Sequence, residues 1–194
     1  MQFRHFTPPL RIYSGDDVCR HLPAELKRLG CRRPAIFTGK TIARHEEWIS
    51  EVTNALGDMC AGIFDNVRSH TPIDSVIAAA SYLEQCDADS IVAIGGGSAI
   101  VTARAAAIYA AEGGNIEALT TKILPGGKAV SPRLTKPKLQ QLIVPTTPST
   151  AYAKAGAAVF DPSIGRRLTM FDPQVRAGVL FFQPTLIASA PVEL

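Results

Sequence analysis

Short apolar runs of β type alternate with longer runs of helical period along most of this chain. Arg11 to Tyr13 reads as extended. Asp16 and Asp17 then stand where a cap belongs, ahead of a helix that runs to about Leu29 and is stopped by Gly30. Pro34 to Thr38 reads as a buried strand with Gly39 at its turn, and a helix follows from Ile42 to Leu56. Met59 to Phe64 is the next strand. Thr71 and Pro72 hold the cap and first-turn proline positions of a helix ending near Cys86. Ser90 to Ile94 is another strand, Gly95-Gly96-Gly97-Ser98 follows at once, and the alanine-rich run Ala99 to Ala111 is a strong helix. This alternation predicts an α/β fold. Its core is a doubly wound, mostly parallel sheet with helices on both faces and right-handed crossovers.

Beyond Gly113-Gly114 the pattern loosens. Pro125 to Pro137 reads as a loop or a β excursion, and Gln141 to Val144 restores a strand. The runs Ala157 to Phe160, Arg167 to Met170 and Val179 to Phe182 predict a small β meander near the C-terminus, with no docking helix after it. There is no repeat or low-complexity tail, and 194 residues are enough for one sizeable core.

Composition changes this picture little. With 46% apolar and 19% charged residues, the chain has the balance of a soluble globular protein. No apolar run approaches the roughly 18 to 20 residues that span a bilayer, and the first ten residues lack the apolar core of a signal peptide. A cytoplasmic protein without a membrane partner is expected. The net charge of +3 does not argue for nucleic acid. Lys122, Lys128, Arg133, Lys136 and Lys138 read as a solvated loop. Four widely spaced cysteines without a C-x-x-C pair are expected as reduced thiols, with Cys31 and Cys60 acting as small buried hydrophobes. His5, His21, His45 and His70 lack metal-ligand spacing and read as surface or capping residues; Trp48 reads as core.

The chemistry concentrates in three loops. Glycines after the fourth strand let the backbone approach a ligand, and free N–H groups opening the next helix attract an anion such as a diphosphate. The alternative is a merely tight strand-to-helix turn. The spacing is not G-x-G-x-x-G, because Ile100 holds the last glycine's place. Pro145-Thr146-Thr147-Pro148-Ser149-Thr150 follows the strand ending at Val144, where ligands of open parallel sheets lie. Its hydroxyls suit phosphate, ribose or a carboxamide, or else their own turn. At Gly39-Lys40, an acid that would grip ribose hydroxyls is missing and Arg44 follows one turn on. That leaves room for a 2′-phosphate, or only for two solvated cations.

Together these pieces resemble the group III, iron-containing alcohol dehydrogenases, which include maleylacetate reductase-like and glycerol dehydrogenase-like members. The resemblance rests on Ile91-Val-Ala-Ile-Gly-Gly-Gly-Ser98 and on Pro145-Thr-Thr147 ahead of Phe160-Asp-Pro162, and covers essentially the whole chain. It implies a dehydroquinate synthase-like N-terminal domain that binds NAD or NADP. A C-terminal helical domain carrying a divalent metal, iron or zinc, would lie outside these residues. It further implies that Gly95, Gly96, Gly97 and Ser98 hold the diphosphate and that Thr146, Thr147 and Thr150 line the coenzyme. Gly39, with Lys40 after it, takes the coenzyme-selecting place, and Arg166 or Arg167 reaches the coenzyme. No catalytic or metal residue is expected in the chain itself. The substrate would be a small alcohol or carbonyl compound, and a homodimer could form through the strand Phe3 to Tyr13.

The chain departs from the family pattern at several points. Val101 and Arg104 stand where G-G-G-S-x-x-D-x-A-K has Asp and Lys, and Pro148, Ala151 and Ala153 interrupt P-T-T-x-G-T-G-S-E. Gln183-Pro184 takes the place of a later Asp-Pro. Two other readings therefore stay open: a nucleotide-binding or interaction module that has lost catalysis, and a sugar-phosphate lyase or synthase of the dehydroquinate synthase fold.

Overall fold

The computed structural model describes residues 8–190. In chain order its elements are β1 (Arg11–Ser14), α1 (Leu22–Arg28), β2 (Pro34–Gly39), α2 (Lys40–Ala43), α3 (Glu46–Leu56), β3 (Gly62–Val67), α4 (Ile73–Gln85), β4 (Ser90–Gly95) and α5 (Gly97–Glu112). There follow β5 (Lys122–Ile123), β6 (Ala129–Val130), β7 (Gln140–Pro145), β8 (Gly156–Asp161), β9 (Arg166–Phe171), β10 (Val179–Phe182) and α6 (Pro184–Ala188). Six strands make one sheet in the order β1-β10-β7-β4-β2-β3, with every pairing parallel.

Side-chain alternation explains why both faces are covered. Ala35, Phe37, Ile91 and Ala93 face one core with Val76, Ala79 and Leu83 of α4 and Ala103, Ala106 and Ile108 of α5. Ile36, Val92, Ile94, Leu142 and Val144 point the other way, against Leu22 and Leu26 of α1 and Val52 and Leu56 of α3. A strand buried on both faces must be apolar at every position, and β4 is buried throughout. This is the predicted α/β architecture.

Several local predictions are corrected. Asp17 makes no side-chain cap; its carboxylate pairs with Arg20 at 2.6 Å, and Val18–His21 is a 3-10 turn before α1 opens with Pro23 in its first turn. The long helix from Ile42 breaks at Arg44 and His45 into α2 and α3, with Glu46 and Glu47 placed favourably in the first turn of α3. Gly57–Met59 is a 3-10 turn, which delays β3 to Gly62. Pro72 itself occupies the cap position of α4. Thr71, at φ +53°, accepts a bond from Phe160 N and does not cap with its side chain.

The meander is a two-stranded hairpin of β8 and β9; Val179 to Phe182 instead enters the main sheet between β1 and β7. Val179, Leu180 and Phe181 are fully buried, the burial of a parallel strand sandwiched between layers. A short helix, α6, follows it, with Pro184 in its first turn. The excursion after Gly114 contains the ribbon of β5 and β6.

Lys138 is not a solvated loop cation. Its ammonium is fully buried, 2.7 Å from Glu112 and 3.0 Å from Asp172, whereas Lys122, Lys128, Arg133 and Lys136 are exposed. Of the histidines, His21 stacks on Tyr13, His45 holds the cap position of α3 and His70 is exposed; His5 and the strand residues 3–7 lie outside the described residues.

All four cysteines are free thiols; Cys31 is buried and Cys60 half-buried. Cys19 is fully buried and its thiol lies 3.8 Å from Gln183 Oε1; burial pushes its pKa up to about 12. Alkylation at pH 8 should therefore leave Cys19 unmodified until the protein unfolds, a result that mass mapping of the labelled peptides would check.

Candidate functional site

β2, β3, β4 and β7 end side by side, and the loops leaving them surround an open cleft of about 840 Å³. This is the carboxyl end of a parallel sheet, the usual place for a ligand in an open α/β fold. Gly39 and Lys40 border the cleft from β2, Asn66, Arg68 and Ser69 from β3, Gly95 to Ser98 from β4, and Thr146 and Thr147 from β7.

At the centre of the cleft only Gly96 separates β4 from α5. Gly95 has φ +145°, and a Cβ there would come within 2.9 Å of Ala99 Cβ. A Cβ on Gly96 would lie 2.9 Å from Thr147 Oγ1. The first helical bond runs from Ile100 N to Gly96 O at 3.3 Å, so the amides just before Ile100 have no acceptor in the helix. No side chain caps this terminus, and no acid sits in its first turn. Sixteen residues of helix thus present their positive end to the cleft beside the Thr147 hydroxyl. A diphosphate fits this cradle.

The threonine loop is fastened from behind. Thr146 N donates to Gly95 O at 3.1 Å, and Ser149 Oγ accepts from Ala151 N at 3.1 Å. Arg104, buried in α5, donates to Ala151 O and Gly156 O, both at 2.8 Å, and Arg176 donates to Ala153 O at 3.1 Å. Burial and the neighbouring Arg176 push the Arg104 guanidinium down to about 10, so it remains charged at neutral pH. Arg104→Ala should cost about 3 to 4 kcal/mol of unfolding free energy, through a cavity and two abandoned carbonyls. Urea unfolding of the variant would measure the loss.

Eight of the sequence-derived positions share this cleft: Gly39, Lys40, Gly95, Gly96, Gly97, Ser98, Thr146 and Thr147. Thr150 does not line it. The chain after Ser149 turns into the 3-10 segment Thr150–Ala153, which Arg104 and Arg176 tie down by its carbonyls. Arg166 is also absent from the cleft. It is exposed on β9 opposite Asp161, whose carboxyl is held below its usual range by a bond from Ser163 in the hairpin turn. Arg167 reaches His70 Nδ1 at 3.0 Å instead.

Sequence reasoning missed Asn66, Arg68 and Ser69, because it ended β3 three residues early. Trp48 packs, half-buried, against the core formed by Val52 and Leu56, as its sequence suggests, but it also lines the cleft, stacked on His45 with ring centroids 4.2 Å apart. Among the described residues no three of His, Cys, Asp and Glu come together as metal ligands, and no helix is long and apolar enough to cross a membrane. The iron or zinc that the resemblance implies finds no such ligand group in residues 8–190.

The family model described as "iron-containing alcohol dehydrogenase" matches residues 9–184. Maleylacetate reductase 1 of Cupriavidus pinatubonensis is 28% identical over 95% of this chain and 43% of its own length. The 4-hydroxybutyrate dehydrogenase of Cupriavidus necator is 31% identical, over 89% of this chain and 44% of its own length. The sulfoacetaldehyde reductase of Bifidobacterium kashiwanohense, solved in complex with NAD+, has the same fold at a TM-score of 0.83 and 19% identity, covering 98% of this chain and 49% of that one. The chain thus spans less than half the length of the curated relatives it matches.

Proposed function

The chain belongs to the iron-containing alcohol dehydrogenase family, and we propose that it is the coenzyme-binding domain of an NAD(P)- and metal-dependent oxidoreductase interconverting an alcohol and a carbonyl compound. The observation that carries this reading is the uncapped start of α5, where Gly96 packs against Thr147 at the centre of an 840 Å³ cleft. Backbone amides and hydroxyls there would hold the coenzyme diphosphate and fix where the nicotinamide lies. When bound, the nicotinamide supplies the hydride acceptor or donor.

The metal, iron or zinc, would be held by the part of the relatives' length that these residues do not span. The chain alone would then bind coenzyme without turnover. We assign the chemistry to the cytoplasm, where four unpaired thiols stay reduced. Among the described residues β1 is an edge strand of the sheet, and with Ile12 exposed it suits pairing with a second copy.

Coenzyme choice follows from charge. Gly39 offers no carboxylate to repel a 2′-phosphate, and Lys40 and Arg68 border the same end of the cleft. Arg68 is already paired with Asp74, so Lys40 is the cation better placed to answer an added phosphate. NADP+ should bind at least as tightly as NAD+, and Lys40→Ala should weaken NADP+ about 5- to 10-fold relative to NAD+, as competition titrations would measure.

The oxidoreductase reading is tested on the full-length protein, assayed with NAD(P)H, Fe2+ or Zn2+ and a panel of short-chain aldehydes. Turnover supports it. Coenzyme binding without any turnover would favour the module that has lost catalysis, to which Val101, Pro148, Ala151 and Ala153 point.

A further inference from the structure

One wall of the cleft is aromatic, and the diphosphate cradle does not use it. The break between α2 and α3 at Arg44 and His45 places His45 three residues ahead of Trp48, so the two rings meet on one face with an interplanar angle of 24°. Ile42 extends the apolar wall, and all three residues line the cleft directly beyond Gly39 and Lys40. Trp48 is the single tryptophan of the chain. An aromatic pair left partly open to a ligand cleft offers a π-face, and every nucleobase has a matching one.

Sheet order says which base it would meet. Across the carboxyl end the sequence of strands is β7-β4-β2-β3, with the glycine turn of β4 in the middle. A dinucleotide with its diphosphate on that turn extends one half over β7 and the other over β2. The β2 end is where the adenosine ribose lies in dinucleotide-binding sheets of this type. The aromatic wall follows β2, two strands away in sheet order from the threonine loop of β7 and on the other side of the glycine turn. We propose that the stacked His45 and Trp48 form a platform for the adenine ring of the coenzyme, an inference that rests on the coenzyme-binding reading above.

The single tryptophan makes the test direct. Titrating the chain with AMP, NAD+ and NADP+ should quench Trp48 emission in parallel with the calorimetric binding curve. Trp48→Leu should weaken AMP and coenzyme about 10-fold or more, whereas Trp48→Phe, which keeps a stacking face, should stay within about 3-fold of the parent. His45→Ala retains the fluorophore and should reduce both affinity and quenching, which keeps the proposal testable if Trp48→Leu is poorly folded. Unchanged emission during calorimetrically visible binding overturns the platform, as does unchanged affinity in both Trp48→Leu and His45→Ala. In either case the coenzyme reading stands. If the unaltered chain binds neither AMP nor either coenzyme, the coenzyme reading fails and the platform falls with it.

Discussion

Gly96→Val should weaken coenzyme binding about 100-fold while leaving the chain folded at 25 °C. Gly96 has φ −81°, open to any residue, so a side chain there brings no backbone strain. Its cost is local contact, because the new Cβ would lie 2.9 Å from Thr147 Oγ1 and push the threonine loop outward. Overpacking of this kind costs about 1 to 3 kcal/mol, a tolerable fraction of a domain's stability. The branched methyls would also stand where a diphosphate must approach the uncapped amides of α5. Each lost charge-assisted bond is worth about 1.5 to 3 kcal/mol, so one or two of them account for a 100-fold loss of about 2.7 kcal/mol. Gly95→Val should behave differently, since φ +145° and Ala99 Cβ at 2.9 Å oppose it in the folded chain itself. Calorimetry beside a thermal melt separates the two. Parent-like affinity in Gly96→Val would remove the diphosphate from this turn.

The largest effect on stability is expected from Lys138→Met. The ammonium sits in a fully buried pocket between Glu112, Asp172 and the carbonyl of Lys136 at 2.5 Å. It joins the end of α5, the entry to β7 and the turn that leads from β9 to β10. Removing one member of a buried ion network leaves the others uncompensated, at a cost of about 3 to 5 kcal/mol. For a chain of this size that corresponds to a fall in Tm of about 10 °C or more.

The same network sets an acid limb. The bond from Lys138 holds the Glu112 carboxyl below its ordinary value of 4.5. A carboxyl depressed in the folded state adds stability that is complete above its unfolded pKa and is lost as pH falls through the folded one. The difference in Tm between parent and Lys138→Met should therefore be full at pH 7 and shrink below about pH 4.5. Adding Glu112→Gln and Asp172→Asn to Lys138→Met should recover part of the loss. A melt series that shows no pH dependence in the difference would contradict this account.

The contrast between β4 and Lys138 explains what could be read in advance. β2, β4 and β7 are short apolar runs between turn residues, and their burial on both faces needs only local pattern to recognise. The glycine turn was legible for the same reason, since strand, turn and helix are contiguous. Val179 to Phe182 has that pattern too. Sequence order groups it with its neighbours β8 and β9, because nothing local tells which sheet a strand will join. Lys138 looks solvated in the sequence because its partners lie 26 residues before it and 34 after it, at Glu112 and Asp172.

The candidate site divides in the same way. Gly39, Lys40, Gly95 to Ser98, Thr146 and Thr147 abut strand ends that were placed nearly correctly, and they share one cleft. Thr150 and Arg166 were carried over from the resemblance and lie elsewhere, because here the chain beyond Pro148 is pinned by Arg104 and Arg176. Arg68 was hidden by a register error of three residues in β3, and Trp48 by a helix break that no glycine or proline announces.

The most direct test of the central claim is calorimetric titration of this chain with NAD+ and NADP+. The account predicts a single site for each, NADP+ at least as tight as NAD+, and loss of both in Gly96→Val. Absence of binding by either coenzyme at about 1 mM, a level that detects affinities of only a few kcal/mol, would contradict it.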